Sequence, residues 1–144
     1  MKIMFALAMA GAILGGLWQQ ANGQTPDSPS SSSTSAKGES PFACNRMALS
    51  PEQRKRHFEE LGPMLRGMRS GVRELPDGYE FKFPADMKTY GLVAEWAAGE
   101  RVCCPFFDIE LRAEREGGPL WLRLTGRPGV KEFIKVDAAS WVKP

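Results

Sequence analysis

Residues 107–125 read FDIELRAEREGGPLWLRLT, and this stretch decides the fold of the chain. In its first part Phe107, Ile109 and Leu111 alternate with charged residues, a period of two that predicts a half-buried β-strand. Residues 120–125 alternate in the same way, and the glycines and proline at 117–119 are typical of a turn. Two alternating runs joined by a short turn predict a β-hairpin.

Upstream of this hairpin the sequence predicts a second β-hairpin and two helices. A short extended piece ends at the turn Pro76-Asp77-Gly78, and Tyr79, Phe81 and Phe83 then alternate with polar residues as in a strand. Ser50 can cap a first helix, with Gln53 completing a capping box, and Gly62-Pro63 should kink or divide that helix. Asp86 can cap a second helix that runs to about Val102.

Downstream, one more helix is expected, because four apolar residues share a helical face: Val130, Phe133, Ile134 and Trp141. The predicted order is helix, hairpin, helix, hairpin, helix. This order predicts a small single α+β domain, in which an antiparallel sheet of two hairpins is covered on one face by about three helices.

The N-terminal part differs in composition from this domain. Lys2 is followed by an apolar run to Leu17 and by small residues at Ala21 and Gly23, which predicts a secretory signal peptide over residues 1–23. An uncleaved membrane anchor is the alternative interpretation. Residues 24–40 are rich in serine and predict a flexible linker, and residues 41–144 form the predicted domain. We therefore expect an exported protein, periplasmic or secreted.

The charge pattern argues against nucleic-acid binding. Removing residues 1–23 removes one of 19 basic residues and leaves 18 against 17 acidic residues. Basic and acidic residues are interleaved, so no basic stripe of the kind that binds phosphate is present. The sequence indicates no nucleic-acid partner and no membrane contact beyond the signal peptide or the alternative anchor.

The best candidate for chemistry is the run Cys103-Cys104-Pro105, since core packing does not require two adjacent cysteines. Cys44 is the only other cysteine in the chain, and the sequence does not choose among the possible disulfide pairings. Soft thiolates select Cu(I), Zn(II) or heavier thiophilic ions, and Cys44 is the natural third donor to the pair. The single histidine, His57, is expected to be exposed on a charged helix, and we leave it out of the site.

Two other functions remain open for the cysteines. A thiol–disulfide redox protein is one, although the end of a helix disfavours a thiolate because its partial charge is negative. A cysteine-stapled structural or interaction module is the other. No recognisable catalytic constellation accompanies the cysteines, so we expect a binding protein rather than an enzyme. Our leading hypothesis is a thiophilic metal or metalloid site formed by Cys44, Cys103 and Cys104.

Four segments carry a resemblance to a known family: residues 44–49, 74–81, 100–106 and 120–126. Their most specific element is Glu-Arg-Val-Cys-Cys-Pro-Phe at residues 100–106. With these segments the domain resembles a small bacterial family of uncharacterised proteins over nearly all of residues 42–136. The resemblance implies a common fold unit and implies no reaction. The predicted signal peptide and serine-rich linker look like additions to that unit.

Overall fold

The structure is a computed structural model, and it describes residues 38–143 of the 144-residue chain. The predicted signal peptide and residues 24–37 of the predicted linker lie outside the described residues. A 3₁₀ turn, Arg46–Ala48, leads to the first long helical segment. Ser50 begins that segment as predicted, since its side chain accepts a hydrogen bond from the Gln53 amide and the Gln53 side chain closes a capping box.

The first helical segment changes its winding where the sequence predicts a kink or a division. It runs as helix α1, Pro51–Arg54, then as a π-helical segment, Lys55–Leu61, and then as helix α2, Gly62–Met68. The Gly62 amide donates to the His57 carbonyl, five residues back. Pro63 has no amide hydrogen to donate, and the wider turn before it lets the helix continue. The segment is therefore rewound at this point, and helical structure is continuous through it.

Four antiparallel strands form one sheet in the order β1-β2-β4-β3. Their bounds are β1, Gly71–Leu75; β2, Gly78–Phe83; β3, Asp108–Ala113; and β4, Leu120–Thr125. In the central pair Phe81 lies opposite Leu122, and Phe83 lies opposite Leu120. Strands β1 and β3 are the edges. The prediction of a small domain that combines helices with an antiparallel sheet is confirmed.

The two faces of the sheet differ because side chains alternate along each strand. One face carries the apolar residues that join the core, among them Phe81, Phe83 and Leu122, each at most 1% exposed. The other face carries charged residues around Trp121, with the Arg73 guanidinium 4.5 Å from the indole ring centre. Glu80 on this face is buried, although its position predicts exposure, because Arg73 on the neighbouring strand pairs with it.

The remaining helices follow the two hairpins. Helix α3, Met87–Cys103, is capped by the preceding Asp86, whose side chain accepts a hydrogen bond from the Thr89 amide at 2.9 Å. Helix α4, Val130–Asp137, and the short helix α5, Ala139–Val142, replace the single last helix of the prediction. Within the described part of the chain, no helix is both long and apolar enough to cross a bilayer.

Candidate functional site

The end of helix α3 positions the adjacent cysteines. Cys103 is the last residue of the helix, and the Cys104 amide makes its closing hydrogen bond to the Glu100 carbonyl at 2.7 Å. Pro105 follows and cannot extend the helix, so the chain leaves it at this point. The two sulfur atoms lie 3.7 Å apart, and both side chains are buried. The sequence predicts this placement of the pair at the helix exit.

A backbone hydrogen bond brings Cys44 to the same place. The last carbonyl groups of a helix have no partner within the helix, and an amide from elsewhere can satisfy them. The Asn45 amide donates to the Cys103 carbonyl at 2.7 Å, which fixes the neighbouring Cys44 beside the helix end. The sulfur atoms of Cys44, Cys103 and Cys104 all lie within 4.8 Å of one another. All three cysteines are free thiols. The structure brings the three predicted ligands together.

The three thiols share their protons unequally. Hydrogen bonds from Cys103 and then from Cys104 lower the pKa of Cys44, and the charges of His57 and Arg46 act in the same direction against the effect of burial. Hydrogen bonding to Cys103, hydrogen bonding to Cys44 and burial raise the pKa of Cys104. Cys44 is consequently the most acidic of the three thiols, and its two neighbours hold their protons more strongly than a free thiol does.

Cys103 is subject to opposing effects. Its hydrogen bond with Cys104 lowers its pKa, but its hydrogen bond to Cys44, its burial and the Glu100 carboxylate together outweigh that effect and raise the pKa. The Cys103 sulfur lies 3.8 Å from a carboxylate oxygen of Glu100. A negative carboxylate beside buried thiols opposes the formation of further thiolates, and it favours a cation at the same point.

The expectation that His57 is exposed is wrong. Its side chain is buried, with 4% of the residue exposed, and its imidazole stacks on Trp96 at a ring distance of 5.5 Å. Its Nε2 atom lies 3.1 Å from a Glu100 carboxylate oxygen and 4.0 Å from the Cys103 sulfur. The physical reason is a glycine, because a Cβ atom at Gly99 would lie 2.4 Å from the His57 Nδ1 atom. Only a residue without a side chain leaves this space to the imidazole ring.

Glu100 is a residue that the sequence interpretation did not place in the site. It is 8% exposed, and its carboxylate contacts both His57 and Cys103. His57, Glu100 and Cys103 form a second group whose possible ligand atoms lie within 4.8 Å of one another. Gly99 was a usable signal, since a glycine inside a helix can mark the close approach of a neighbour. Glu100 follows it directly and shares its surroundings.

Comparisons with known protein families, with curated proteins and with solved structures find no match for this chain. Any function must therefore be argued from the geometry of the site itself. That geometry consists of three converging thiols with a buried histidine–glutamate pair on one side.

Proposed function

We propose that this protein binds a thiophilic metal or metalloid ion through Cys44, Cys103 and Cys104. The observation that supports the proposal is the convergence of three free sulfur atoms within 4.8 Å of one another. Cys44 comes from a segment some sixty residues before the pair, so adjacency in the sequence does not explain its position. Soft sulfur ligands favour Cu(I), Zn(II) and heavier thiophilic ions over hard cations such as magnesium or calcium.

The spacing of the sulfurs suits such an ion. An ion about 2.3 Å from each sulfur places two sulfurs about 3.8 Å apart at tetrahedral angles and about 4.0 Å apart in a trigonal plane. The Cys103 and Cys104 sulfurs are 3.7 Å apart, so this pair needs little movement to bind. Cys44 is partly buried, in a segment that belongs to neither a helix nor a strand. Its side chain can therefore move to complete the set of three sulfur ligands.

The charges of the cluster also favour a cation. The pKa of Cys44 is lowered, so this thiol ionises first, and a bound ion would displace the protons that Cys103 and Cys104 retain. The carboxylate of Glu100 adds negative charge beside Cys103. Without an ion, three thiolates at this separation would repel one another. A soft cation removes that repulsion and neutralises the buried charge.

A thiol–disulfide redox protein is the second candidate, and the lowered pKa of Cys44 favours it. A partly buried thiolate can attack a disulfide of a partner, and Cys103 or Cys104 would then resolve the mixed disulfide. The raised pKa of both of these thiols weighs against that second step. Metal or metalloid binding needs no such step, and it uses all three sulfurs.

The proposal is tested by titrating the reduced full-length chain with Cu(I), Zn(II), Hg(II) and arsenite. We expect at least one ion to bind tightly with one ion per chain, and each single Cys→Ser variant at positions 44, 103 and 104 to weaken that binding at least tenfold. Val102→Ser is the matched control, since Val102 is exposed in the same helical turn. If no ion binds tightly, or if binding does not depend on the cysteines, the proposal is refuted.

The same variants distinguish a redox function from ion binding. A redox protein would form a reversible disulfide between Cys44 and one of the pair and would reduce a model disulfide catalytically. An ion-binding protein would do neither at a rate above that of a simple dithiol.

A further inference from the structure

Beside the three thiols lies a cavity of about 550 Å³. Seven of its twenty lining residues are phenylalanine or tryptophan, and they include Phe58, Trp96, Phe107, Phe133 and Trp141. Cys44 and Cys104 also line it, whereas Cys103 is fully buried and is not among the lining residues. The thiols and the cavity are therefore parts of one continuous site.

A bare ion does not need a cavity of this size. The volume falls within the range of about 300–1,000 Å³ that is typical of sites for small organic molecules. Two of the lining aromatic residues, Trp96 and Trp141, contact each other, with ring centres 4.6 Å apart. Such walls hold a flat apolar group through stacked and edge-on contacts.

The charged groups of the cavity are balanced and select no ionic partner. Arg46 and Arg66 line it together with Glu100 and Asp137. The Arg46 guanidinium lies over the Phe58 ring at 4.2 Å, so it covers an aromatic wall as well as facing solvent. An occupant with an apolar body and one thiophilic atom fits this arrangement better than an organic anion does.

We propose that the cavity holds the organic substituent of a trivalent metalloid that is bound by Cys44 and Cys104. The ligand class is a monosubstituted arsenical, R–As(OH)₂, in which R is an aryl group. This inference rests on the proposed function and names its substrate class. The arsenic atom has two exchangeable hydroxyl groups, so it binds two sulfurs, and the two cysteines in the cavity wall are the ones adjacent to the space for R.

The binding step is a ligand exchange without a change of oxidation state. Two As–O bonds break and two As–S bonds form. Each hydroxyl leaves as water with the proton of the thiol that replaces it, or with a proton from solvent where that thiol is already ionised. Arsenic stays trivalent, and no oxidant or reductant is required. Cys103 keeps its proton and its hydrogen bond to Glu100. Arsenite, with three exchangeable hydroxyl groups, instead uses all three sulfurs.

The two modes of binding can be separated by substitutions in the full-length chain. The probes are phenylarsine oxide and arsenite, and binding is measured by calorimetry under reducing conditions with a weakly competing thiol. Ala138→Leu places a larger side chain in the cavity wall, and Ser140→Trp does so from an exposed position on the same wall. Val136→Leu is the control, because Val136 is exposed and does not line the cavity.

We expect both cavity variants to weaken the binding of phenylarsine oxide at least tenfold and to change the affinity for arsenite less than twofold. Cys103→Ser should weaken arsenite at least tenfold and leave phenylarsine oxide within threefold, whereas Cys44→Ser should weaken both. Circular dichroism checks that each variant is folded. If Ala138→Leu does not fold, the test depends on Ser140→Trp.

This inference would be overturned if the cavity variants changed the affinity for both probes equally or changed neither. It would also be overturned if binding of phenylarsine oxide required Cys103. Those results would leave the three-cysteine site intact if arsenite still binds. Binding of Hg(II) without binding of arsenite would also overturn the assigned metalloid class while supporting the proposed function. Absence of cysteine-dependent binding for every ion would refute both.

Discussion

The contact between Gly99 and His57 supports one side of the thiol cluster, and Gly99→Ala tests it. A Cβ atom at this position would lie 2.4 Å from the His57 Nδ1 atom and 2.9 Å from its Cε1 atom. The imidazole cannot move aside freely, because Trp96 stacks on it and the ring is buried. The substitution must therefore displace the ring, the helix or both.

The expected size of the effect follows from two opposing contributions. Overpacking of a well-packed site costs about 1–3 kcal/mol. Replacing glycine by alanine inside a helix stabilises by about 1 kcal/mol. Gly91→Ala on the same helix is the matched control, since a Cβ atom there meets nothing within 4 Å. The helix contribution is common to both variants, so Gly99→Ala should be less stable than Gly91→Ala by about 1–3 kcal/mol.

Urea unfolding of the full-length chain, followed by tryptophan fluorescence, measures this difference. With a denaturant slope of about 2 kcal/mol per molar, the unfolding midpoints of the two variants should differ by about 1 M. Because His57 contacts Glu100 and Cys103, Gly99→Ala should also weaken ion binding, whereas Gly91→Ala should not. Two variants of equal stability and equal ion affinity would refute the packing of His57 against Gly99.

Three further predictions concern the helix cap and the protons of the thiols. Ser50→Ala should lower the free energy of unfolding by about 1 kcal/mol because it removes a helix cap. Ser140→Ala, at an exposed position, is the control, and equal stability of the two variants would contradict the capping geometry. The reduced, ion-free protein should lose stability as the pH rises above about 8.5, because Cys103 and Cys104 have raised pKa values when folded and retain protons that the unfolded chain releases. Cys44 has the opposite sign, so its contribution is full above about pH 8.5 and declines as the pH falls from there toward its lowered pKa. Urea unfolding at a series of pH values measures both effects, and an alkaline loss of stability that persists in the double variant Cys103→Ser/Cys104→Ser would contradict the raised pKa values. Binding of a metal cation such as Zn(II) or Hg(II) to all three sulfurs near neutral pH should release two protons, because the pKa of Cys44 is lowered and those of Cys103 and Cys104 are raised. Calorimetry in buffers of different ionisation enthalpy measures this number, and release of three protons would contradict the lowered pKa of Cys44.

Local sequence patterns predicted most of the helices and strands, but they did not predict that the last helix is divided into α4 and α5. Alternation identified the strands, Ser50 and Asp86 were recognisable as helix caps, and Pro105 marked the end of helix α3. The change of winding before Gly62 was not predictable, because a π-helical segment has no distinctive pattern and Pro63 indicated only an interruption. Glu80 likewise follows the pattern of an exposed strand residue, and its burial depends on a partner from the neighbouring strand.

The site was predictable only in part. The chemistry of the cysteines indicated which sulfurs to consider, but the approach of Cys44 depends on one backbone hydrogen bond between segments far apart in the sequence. His57 follows Arg54, Lys55 and Arg56 and therefore has the local pattern of an exposed helix residue. Its burial is determined by Gly99 and Trp96 on another helix, and the aromatic cavity also arises only when distant segments come together.

X-ray absorption spectroscopy on the protein loaded with its tightest-binding inorganic ion tests the central claim most directly. Three cysteines from two separate segments should supply the nearest neighbours of that ion. The spectrum should accordingly show three sulfur neighbours, falling to two in Cys44→Ser. A spectrum with fewer than three sulfurs in the unaltered chain, or one that Cys44→Ser leaves unchanged, would contradict the proposed site.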